Sequence, residues 1–267
     1  MTSPTEQRLK AAIGIAHEAG ELGLKHFRAI EALTIEKKGH QDLVSNADRE
    51  LEILVRERLA EAFPEDGITG EEHADRPGTS GFTWAIDPID GTANFVRGIP
   101  AWCVSIACAD REGVVVGVIR EPSSGETFAA SRGGGASVNG RPMKIADVSS
   151  LGEGTVGVGF SNRSEARKTL RLIGDIIGEG GFFFRNASGA LMLAYVAAGR
   201  LIGYVEEHMN SWDCLAAFLM IEEAGGKILR PNPDTMIKEG CMAICGGPKL
   251  YPRLEKLAQD AFGHIAR

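Results

Sequence analysis

The sequence predicts an α/β fold in which helices are layered on sheets, and three observations lead to that prediction. At residues 5–29, apolar side chains recur every three or four residues, as on one face of an amphipathic helix. Short apolar runs bounded by turn residues, such as residues 82–86, are typical of buried strands. From Glu165 onward, helical and strand patterns alternate along the chain. Such alternation indicates helices that cover the faces of a sheet.

In the first half of the chain, we expect two helices and a set of strands. The second helix begins after a capping residue, Ser45 or Asn46, and its leucine and valine side chains mark one buried face. The expected elements are helices at 5–29 and 47–63 and strands at 33–36, 82–86, 103–109, 114–120 and 127–130.

In the second half, the strongest prediction is the helix at 211–224. Its side chains are apolar nearly all round, which predicts a buried helix, and Gly225 and Gly226 end it. The other expected elements are helices at 165–177, 188–198 and 248–262 and strands at 156–160, 182–185, 201–206 and 227–229.

Length and composition describe an ordinary globular protein of 267 residues, 43% hydrophobic and 24% charged. A net charge of -7 without clustered Lys and Arg argues against a nucleic-acid partner, although bound cations would permit an anionic substrate. No apolar stretch approaches the ~18 residues that span a bilayer. The chain also begins without a basic-then-apolar leader, so we expect no membrane partner and a cytoplasmic protein. The five cysteines include no CxxC pair and are expected to be buried reduced thiols.

Two carboxylates follow a predicted buried strand. Asp87 and Asp90 are three residues apart, and we expect Pro88 and Gly91 to turn the chain, which places both acids at the carboxyl end of the strand. Carboxylates this close repel and raise each other's pKa, so the arrangement is costly unless a proton or a cation lies between them. The Thr92 hydroxyl and the N–H groups of Gly91 and Thr92 come next and suit contacts with a nucleophilic water and phosphate oxygens.

Three further acids have a structural as well as a functional interpretation when the residues alone are considered. Asp48 lies in the first turn of a predicted helix, where the helix dipole favours any carboxylate. Glu71 precedes Glu72 and a loop rich in Gly, Pro and Ser, a setting typical of surface charge. Asp213 starts the apolar helix, where it either caps the helix, is paired or binds a cation, because an unpaired buried charge costs ~2–7 kcal/mol or more.

Several classes of phosphate enzyme are excluded by inspection. No Cys has an Arg six positions later, and no GxxxxGK[ST] loop occurs. The spacing of Asp87 and Asp90 also differs from that of aspartyl-phosphate hydrolases, whose two acids lie two apart, which leaves direct attack by water. Carboxylates without His or Cys suit Mg²⁺ better than zinc. Two such ions ~3.5–4 Å apart can deprotonate a water, hold a phosphoryl group and neutralise the leaving oxygen.

Four motifs, in order and over nearly the whole chain, resemble the inositol monophosphatase family. They are Asp42-Leu43-Val44-Ser45-Asn46-Ala47-Asp48, Gly70-Glu71-Glu72, Trp84-Ala85-Ile86-Asp87-Pro88-Ile89-Asp90-Gly91-Thr92-Ala93-Asn94-Phe95, and Trp212-Asp213-Cys214-Leu215-Ala216-Ala217 through Glu223-Ala224-Gly225-Gly226. The resemblance implies a layered α-β-α-β-α sandwich of the sugar-phosphatase type. It further implies one domain over 1–267, with subdomains of about 1–150 and 151–267 that share the active site, a homodimer and inhibition by lithium.

The resemblance also implies the site residues and two to three Mg²⁺ ions per active site. Glu71, Asp87 and the Ile89 carbonyl would hold the first ion, and Asp87, Asp90 and Asp213 the second, with a third near Glu71 and Asp48. The implied catalytic residues are Glu71, Thr92 and Asp48, with Thr92 orienting the attacking water. The implied substrate contacts are Asp90, Gly91 and Thr92 around the phosphate, and Ser188, Gly189, Glu206 and Asp213 at the hydroxyls of the alcohol.

The function that this resemblance implies is Mg²⁺-dependent hydrolysis of a small phosphorylated polyol or alcohol, with myo-inositol 1-phosphate as the expected substrate. Histidinol phosphate is the alternative, because family members with that role share every metal motif. The non-enzymatic alternative is a dimeric binding scaffold that has lost the chemistry. We would expect such a scaffold to have lost one of five residues, and this chain keeps Glu71, Asp87, Asp90, Thr92 and Asp213.

Overall fold

The computed structural model describes residues 3–39, 42–161 and 163–265, and its helices and sheets alternate in five layers. The helices are α1 (Pro4–Phe27), α2 (Asn46–Ala62), α3 (Thr92–Phe95), α4 (Ala166–Gly178), α5 (Gly189–Ala197), α6 (Ser211–Glu223), α7 (Met236–Glu239) and α8 (Tyr251–Phe262). The strands are β1 (Ile35–Gly39), β2 (Asp42–Ser45), β3 (Gly67–Gly70), β4 (Thr83–Asp90), β5 (Cys103–Asp110), β6 (Gly113–Glu121), β7 (Glu126–Ser131), β8 (Gly135–Val138), β9 (Arg141–Pro142), β10 (Thr155–Val158), β11 (Phe182–Phe184), β12 (Gly203–Met209), β13 (Lys227–Ile228) and β14 (Cys241–Gly246).

The first two layers are the pair α1 and α2 and a seven-stranded sheet in the order β3-β4-β5-β6-β7-β8-β9. Only β3 and β4 run parallel, and the other neighbours are antiparallel. Alternate side chains of the sheet, such as Trp84 and Ile106, pack on the helices and are fully buried or nearly so. Successive side chains of a strand point to opposite faces of the sheet, so every second side chain packs on α1 and α2.

The middle layer consists of α5 and α6, which lie between the two sheets. The largest apolar cluster joins Ile119 and Phe128 of the seven-stranded sheet to these helices and to Tyr204 of the second sheet. Residues 214–221 of α6 are all buried, which confirms the prediction of a buried helix.

The outer layers are a five-stranded sheet in the order β11-β10-β12-β14-β13 and the helices α4 and α8. Leu172 of α4 and Leu254 of α8 are fully buried against strands β10, β12 and β14. The α-β-α-β-α sandwich is thereby confirmed. All five cysteines are free, and four of them are buried. None of the helices in the described ranges is long and apolar enough to cross a bilayer.

The expected strands differ from the observed ones in two ways: the end of β4 was placed wrongly, and five strands, β2, β3, β8, β9 and β14, were not predicted. The chain does not turn at Pro88, since β4 continues to Asp90 and the turn follows at Gly91. Asp87 pairs with Ser105 and Asp90 with Cys103, so three steps on β4 oppose two on β5. This bulge accommodates a proline, which lacks the N–H that a regular ladder requires.

Of the strands that the sequence analysis did not predict, β14 changes the topology of the second sheet. It lies between β12 and β13 and is antiparallel to both, so the second half is not a purely parallel βα alternation. Its four central residues at 242–245 are buried and apolar, the pattern of a short strand covered on both faces.

Candidate metal centre and active-site cleft

The candidate site begins where the pairing of β3 with β4 ends. These strands are parallel, and Gly70 pairs with Ile86, so the residues that follow them, Glu71 and Asp87, emerge side by side. The charge of Glu71 accordingly contributes to raising the pKa of Asp87. The register of one strand pair therefore brings Glu71 to the acidic pair, which its own sequence context did not indicate.

The third segment of the site is the first turn of α6. Carboxylate oxygens of Asp87, Asp90 and Asp213, one from each residue, all lie within 4.8 Å of one another. The side-chain amide of Asn210 at the N-cap of α6 donates to Asp213 Oδ2 over 3.3 Å. Asp213 thus faces the acids of β4, as expected, and Glu71 stands outside this closest group of three.

The three clustered acids are protonated more readily than ordinary carboxyls. Burial, followed by the charges of Glu71, Asp213 and Asp90, raises the pKa of Asp87 well above its usual value. Burial and then the charge of Asp90 raise the pKa of Asp213 to about 8, and burial raises that of Asp90. Mutual repulsion of this kind is what a bound cation relieves, so the donor set fits a hard cation with oxygen ligands.

Gly91 and Thr92 form the turn between β4 and α3. Gly91 has a φ of +98°, and a Cβ there would lie 2.9 Å from the Ala101 carbonyl oxygen, so only glycine fits. Thr92 Oγ1 lies 2.9 Å from Asp48 Oδ1 and 3.0 Å from the Ile89 carbonyl oxygen, and its single proton can be donated to either. Thr92 is therefore connected to both Asp48 and the carbonyl predicted to bind a metal ion.

Asp48 combines the two roles that the sequence left open. Its Oδ2 accepts hydrogen bonds from the N–H and the hydroxyl of Ser45, at 2.8 and 2.6 Å, and completes the capping box of α2. Its Oδ1 faces Thr92. Asp48 is 1% exposed, and burial raises its pKa. The structural role as a cap and the contact with the site thus use different oxygens of one carboxylate.

Asp90 connects the acidic cluster to α5. Its carboxylate accepts hydrogen bonds from the Ser188 hydroxyl at 2.6 Å, the Ala190 N–H at 2.8 Å and the Gly189 N–H at 3.2 Å. An anion at a helix N-terminus is stabilised by the free N–H groups and the helix dipole. Ser188 is fully buried with its hydroxyl on Asp90, whereas Gly189 lines the open cleft.

The cleft beside the acids has a volume of about 830 Å³. Its walls carry four of the seven expected substrate contacts, namely Asp90, Gly189, Glu206 and Asp213. They also carry Glu71 and two arginines, Arg163 and Arg185. The Tyr204 hydroxyl donates to Glu206 Oε2 at 2.6 Å, and burial raises the pKa of Glu206 to about 7. Space and polar groups therefore extend from the acidic cluster towards α4.

Two polar residues of the site, Asn94 and Tyr204, were missed by the sequence analysis. The Asn94 amide bridges the carbonyl oxygens of Ala101 and Asn186, at 2.7 and 2.6 Å, and so ties the turn after β4 to the segment before α5. Tyr204 contacts Glu206 as described above. The signal for Tyr204 was available, because residues two apart on a strand share a face. No local pattern pointed to Asn94, one of whose partners, Asn186, is distant in sequence.

Comparisons with known proteins show which proteins this chain is similar to. The model of the inositol monophosphatase family matches residues 5–261. The inositol-1-monophosphatase of Rhizobium meliloti is 35% identical over 255 residues, which cover 94% of this chain and 96% of that protein. The Nus factor SuhB of Xylella fastidiosa is also 35% identical, over 91% of this chain and 90% of its own.

Solved structures show the same fold. The extragenic suppressor protein suhB from Bartonella henselae superimposes with a TM-score of 0.88 at 31% identity, covering 94% of this chain and 97% of that one. The Thermotoga maritima IMPase does so with a TM-score of 0.84 at 29% identity, covering 97% and 99%.

Proposed function

The chain belongs to the inositol monophosphatase family of metal-dependent phosphoric monoester hydrolases, and from that premise we propose that it uses Mg²⁺ to hydrolyse myo-inositol 1-phosphate. The observation that carries the proposal is the cluster of Asp87, Asp90 and Asp213 at the edge of an open cleft. A fold-sharing scaffold without chemistry would have no need of three mutually repelling acids, two of which are buried.

In this proposal, Glu71, Asp87 and the Ile89 carbonyl hold one Mg²⁺, and Asp87, Asp90 and Asp213 hold a second. A third, weaker ion would lie near Glu71, with Asp48 contacting its waters. Bound Mg²⁺ would supply a water of lowered pKa and neutralise charge on the phosphate and the leaving oxygen. The all-oxygen donor set of the three clustered acids supports Mg²⁺ over softer metals.

The residues around the cluster would orient the water and the phosphate. Because Thr92 Oγ1 donates its proton to Asp48 or to the Ile89 carbonyl, its lone pairs are free to accept a hydrogen bond from a water molecule. Thr92, supported by Asp48 or Glu71, would therefore orient the attacking water. The N–H groups of Gly91 and Thr92 would contact the phosphate oxygens.

The alcohol would lie in the cleft against Glu206, Gly189 and Asp213. Ser188, expected as a direct contact, is fully buried with its hydroxyl on Asp90 and would instead act through that carboxylate. Glu206 accepts a hydrogen bond from Tyr204 and faces the cleft, so its other lone pairs are available to substrate hydroxyls. A polyol offers several hydroxyls to such acceptors. The name of the Rhizobium meliloti relative adds support for an inositol phosphate.

A panel of phosphate monoesters, each assayed for phosphate release with and without Mg²⁺, tests this function. We expect the highest kcat/KM with myo-inositol 1-phosphate, and inhibition of that turnover by lithium ions. Histidinol phosphate exceeding it more than tenfold would establish the alternative substrate. Absence of turnover on every ester would favour the scaffold over the enzyme.

We also propose that the protein is a homodimer that associates through edge strand β11. Its residues, Phe182–Phe184, are 74%, 45% and 36% exposed, and Leu170 and Ile177 of the neighbouring α4 are 67% and 54% exposed. Exposed apolar groups on a sheet edge are typical of an association surface. Sedimentation of the wild type should give twice 28.5 kDa, and Phe182→Glu should give the monomer. Ile35→Glu, exposed on β1, is the control and should remain dimeric.

Two further proposals concern the organisation and location of the chain. We propose one domain over 1–267 whose halves, about 1–150 and 151–267, meet at the site. The apolar cluster that joins Phe128 to Phe218 across the two halves supports this. We propose a cytoplasmic location, which fractionation of cells would test.

A further inference from the structure

Helix α2 presents three charged residues, at intervals of four, towards the elements that carry the site. Asp48 contacts Thr92, and Glu52 and Arg56 follow it one and two turns later on the same face. The Glu52 side chain has no exposed surface. A fully buried glutamate is rare unless its oxygens are all used, so its partners identify what it does.

The Glu52 carboxylate binds the backbone directly after Glu71. Its Oε2 accepts a hydrogen bond from the Glu72 N–H at 2.8 Å, and its Oε1 accepts one from the His73 N–H at 3.2 Å. Arg56 neutralises it, with Nε donating to Oε1 at 2.7 Å. The Arg56 guanidinium also donates to the carbonyl oxygen of His73 at 3.0 Å. Glu52 and Arg56 therefore hold both the N–H and the C=O groups of this loop.

The residue before Glu71 is fitted to the same carboxylate. A Cβ on Gly70 would lie 2.7 Å from Glu52 Oε1, closer than real contacts, so glycine permits the approach. Both neighbours of Glu71 therefore lie against Glu52. Gly70, the last residue of β3, approaches its carboxylate closely, and Glu72 donates its N–H to it.

We propose that Glu52 is a positioning residue for Glu71, and that α2 sets the separation between Glu71 and the Thr92–Asp48 pair. This inference rests on the proposed function in assigning a metal ion to Glu71. The helix is rigid between Asp48 and Glu52, because one turn of regular backbone hydrogen bonds connects them. Glu52 itself touches neither substrate nor metal in this proposal.

The variant Glu52→Gln tests the proposal with the least change in size. Its NH₂ group would face a donor, either the Glu72 N–H or the Arg56 Nε–H, and the loop would lose one anchor. We expect the Mg²⁺ concentration for half-maximal activity to rise about tenfold, with a smaller change in KM. In the metal-free protein, we expect the amide hydrogens of residues 71–74 to exchange at least about tenfold faster.

The control is Glu57→Gln, which removes the same charge from an exposed position on α2 and should match the wild type in both measurements. Should Glu52→Gln fail to fold, Arg56→Gln gives the second test, because it removes the guanidinium bonds to the loop and leaves Glu52 in place. We expect it to shift both readouts in the same direction. Lower stability with unchanged Mg²⁺ response and unchanged exchange at 71–74 would overturn the proposal.

The outcome is separable from that of the proposed function. If no phosphate ester is turned over by the wild type, calorimetric Mg²⁺ binding and amide exchange still compare the variants. Weaker Mg²⁺ binding by Glu52→Gln than by Glu57→Gln would then support the positioning role without the reaction. Equal Mg²⁺ binding and equal exchange in the two variants would refute it even if the wild type proved an active phosphatase.

Discussion

Replacing Asp213 with asparagine should stabilise the metal-free protein while removing its response to Mg²⁺. In the structure, Asp213 lies within 4.8 Å of both Asp87 and Asp90, and burial together with the charge of Asp90 raises its pKa to about 8. Such a carboxyl stabilises the fold while it is protonated, below its unfolded pKa near 4, and that contribution is lost as the pH rises through about 8. Asparagine carries no charge at any pH and escapes this loss.

The size of the effect follows from the two pKa values, 3.8 and about 8. At 1.36 kcal/mol for each tenfold change in proton affinity, the difference corresponds to roughly 6 kcal/mol at most. Because Asp213 is partly exposed to the cleft, water screens its charge, and we expect about 2–3 kcal/mol. The Asn210 amide at 3.3 Å can still pair with the asparagine oxygen, so that bond is retained.

Urea unfolding of wild type and Asp213→Asn in chelator, at intervals from about pH 5 to about pH 9, measures this effect. The free energy of unfolding of the variant relative to the wild type should rise across the range. Mg²⁺ at 100 times its Kd should then stabilise the wild type by about 2.7 kcal/mol and the variant much less. A pH-independent difference would refute the electrostatic argument, and equal stabilisation by Mg²⁺ would remove Asp213 from the metal site.

Three other predictions concern the turn after β4 and the protons of the site. Thr92→Val should lower kcat at least about 10²-fold, because it removes the hydroxyl that contacts Asp48. Thr92→Ser keeps a hydroxyl and should keep most of the activity, and steady-state assays of the two variants measure this difference. Gly91→Ala should lower the free energy of unfolding by about 1–3 kcal/mol, because residue 91 has a positive φ and the alanine Cβ would meet the Ala101 oxygen. Urea titrations measure this loss, and an unchanged midpoint would contradict the geometry. Mg²⁺ binding near pH 7 should release protons, as the raised pKa of Asp213 requires, and calorimetry in buffers of different ionisation enthalpy should detect them.

The sequence predicted the layered α/β fold and most helices to within a few residues, because hydrophobic periodicity reports which face of an element is buried. It was less successful where pairing with a distant strand decided the conformation. Pro88 was expected to turn the chain, yet a bulge against β5 keeps it within β4. Five strands were overlooked, among them β3, which leads to Glu71, and β14, whose apolar run resembles those that were recognised.

The candidate site, too, was predictable where local sequence is sufficient and was not where distant segments meet. The close spacing of Asp87 and Asp90 and the need for a cation between them were evident from local sequence, since neighbours on a short segment cannot move far apart. The residues alone left Glu71, Asp48 and Asp213 open, and the family resemblance assigned them a role. The structure supplies the physical reason for the proximity of Glu71, which is the parallel register of β3 and β4.

The sequence by itself therefore determined which segments are buried, where most of the helices start and stop, and that two acids three residues apart require a compensating proton or cation. Only the tertiary structure decided which partners the acids of the site have. Asp90 accepts a hydrogen bond from the N-terminus of α5, and Asp213 lies within 4.8 Å of Asp87. Glu52 binds the backbone next to Glu71. The reason is physical. Burial and backbone preference act within a few residues, whereas hydrogen-bond partners and electrostatic repulsion depend on distances that packing between distant segments sets.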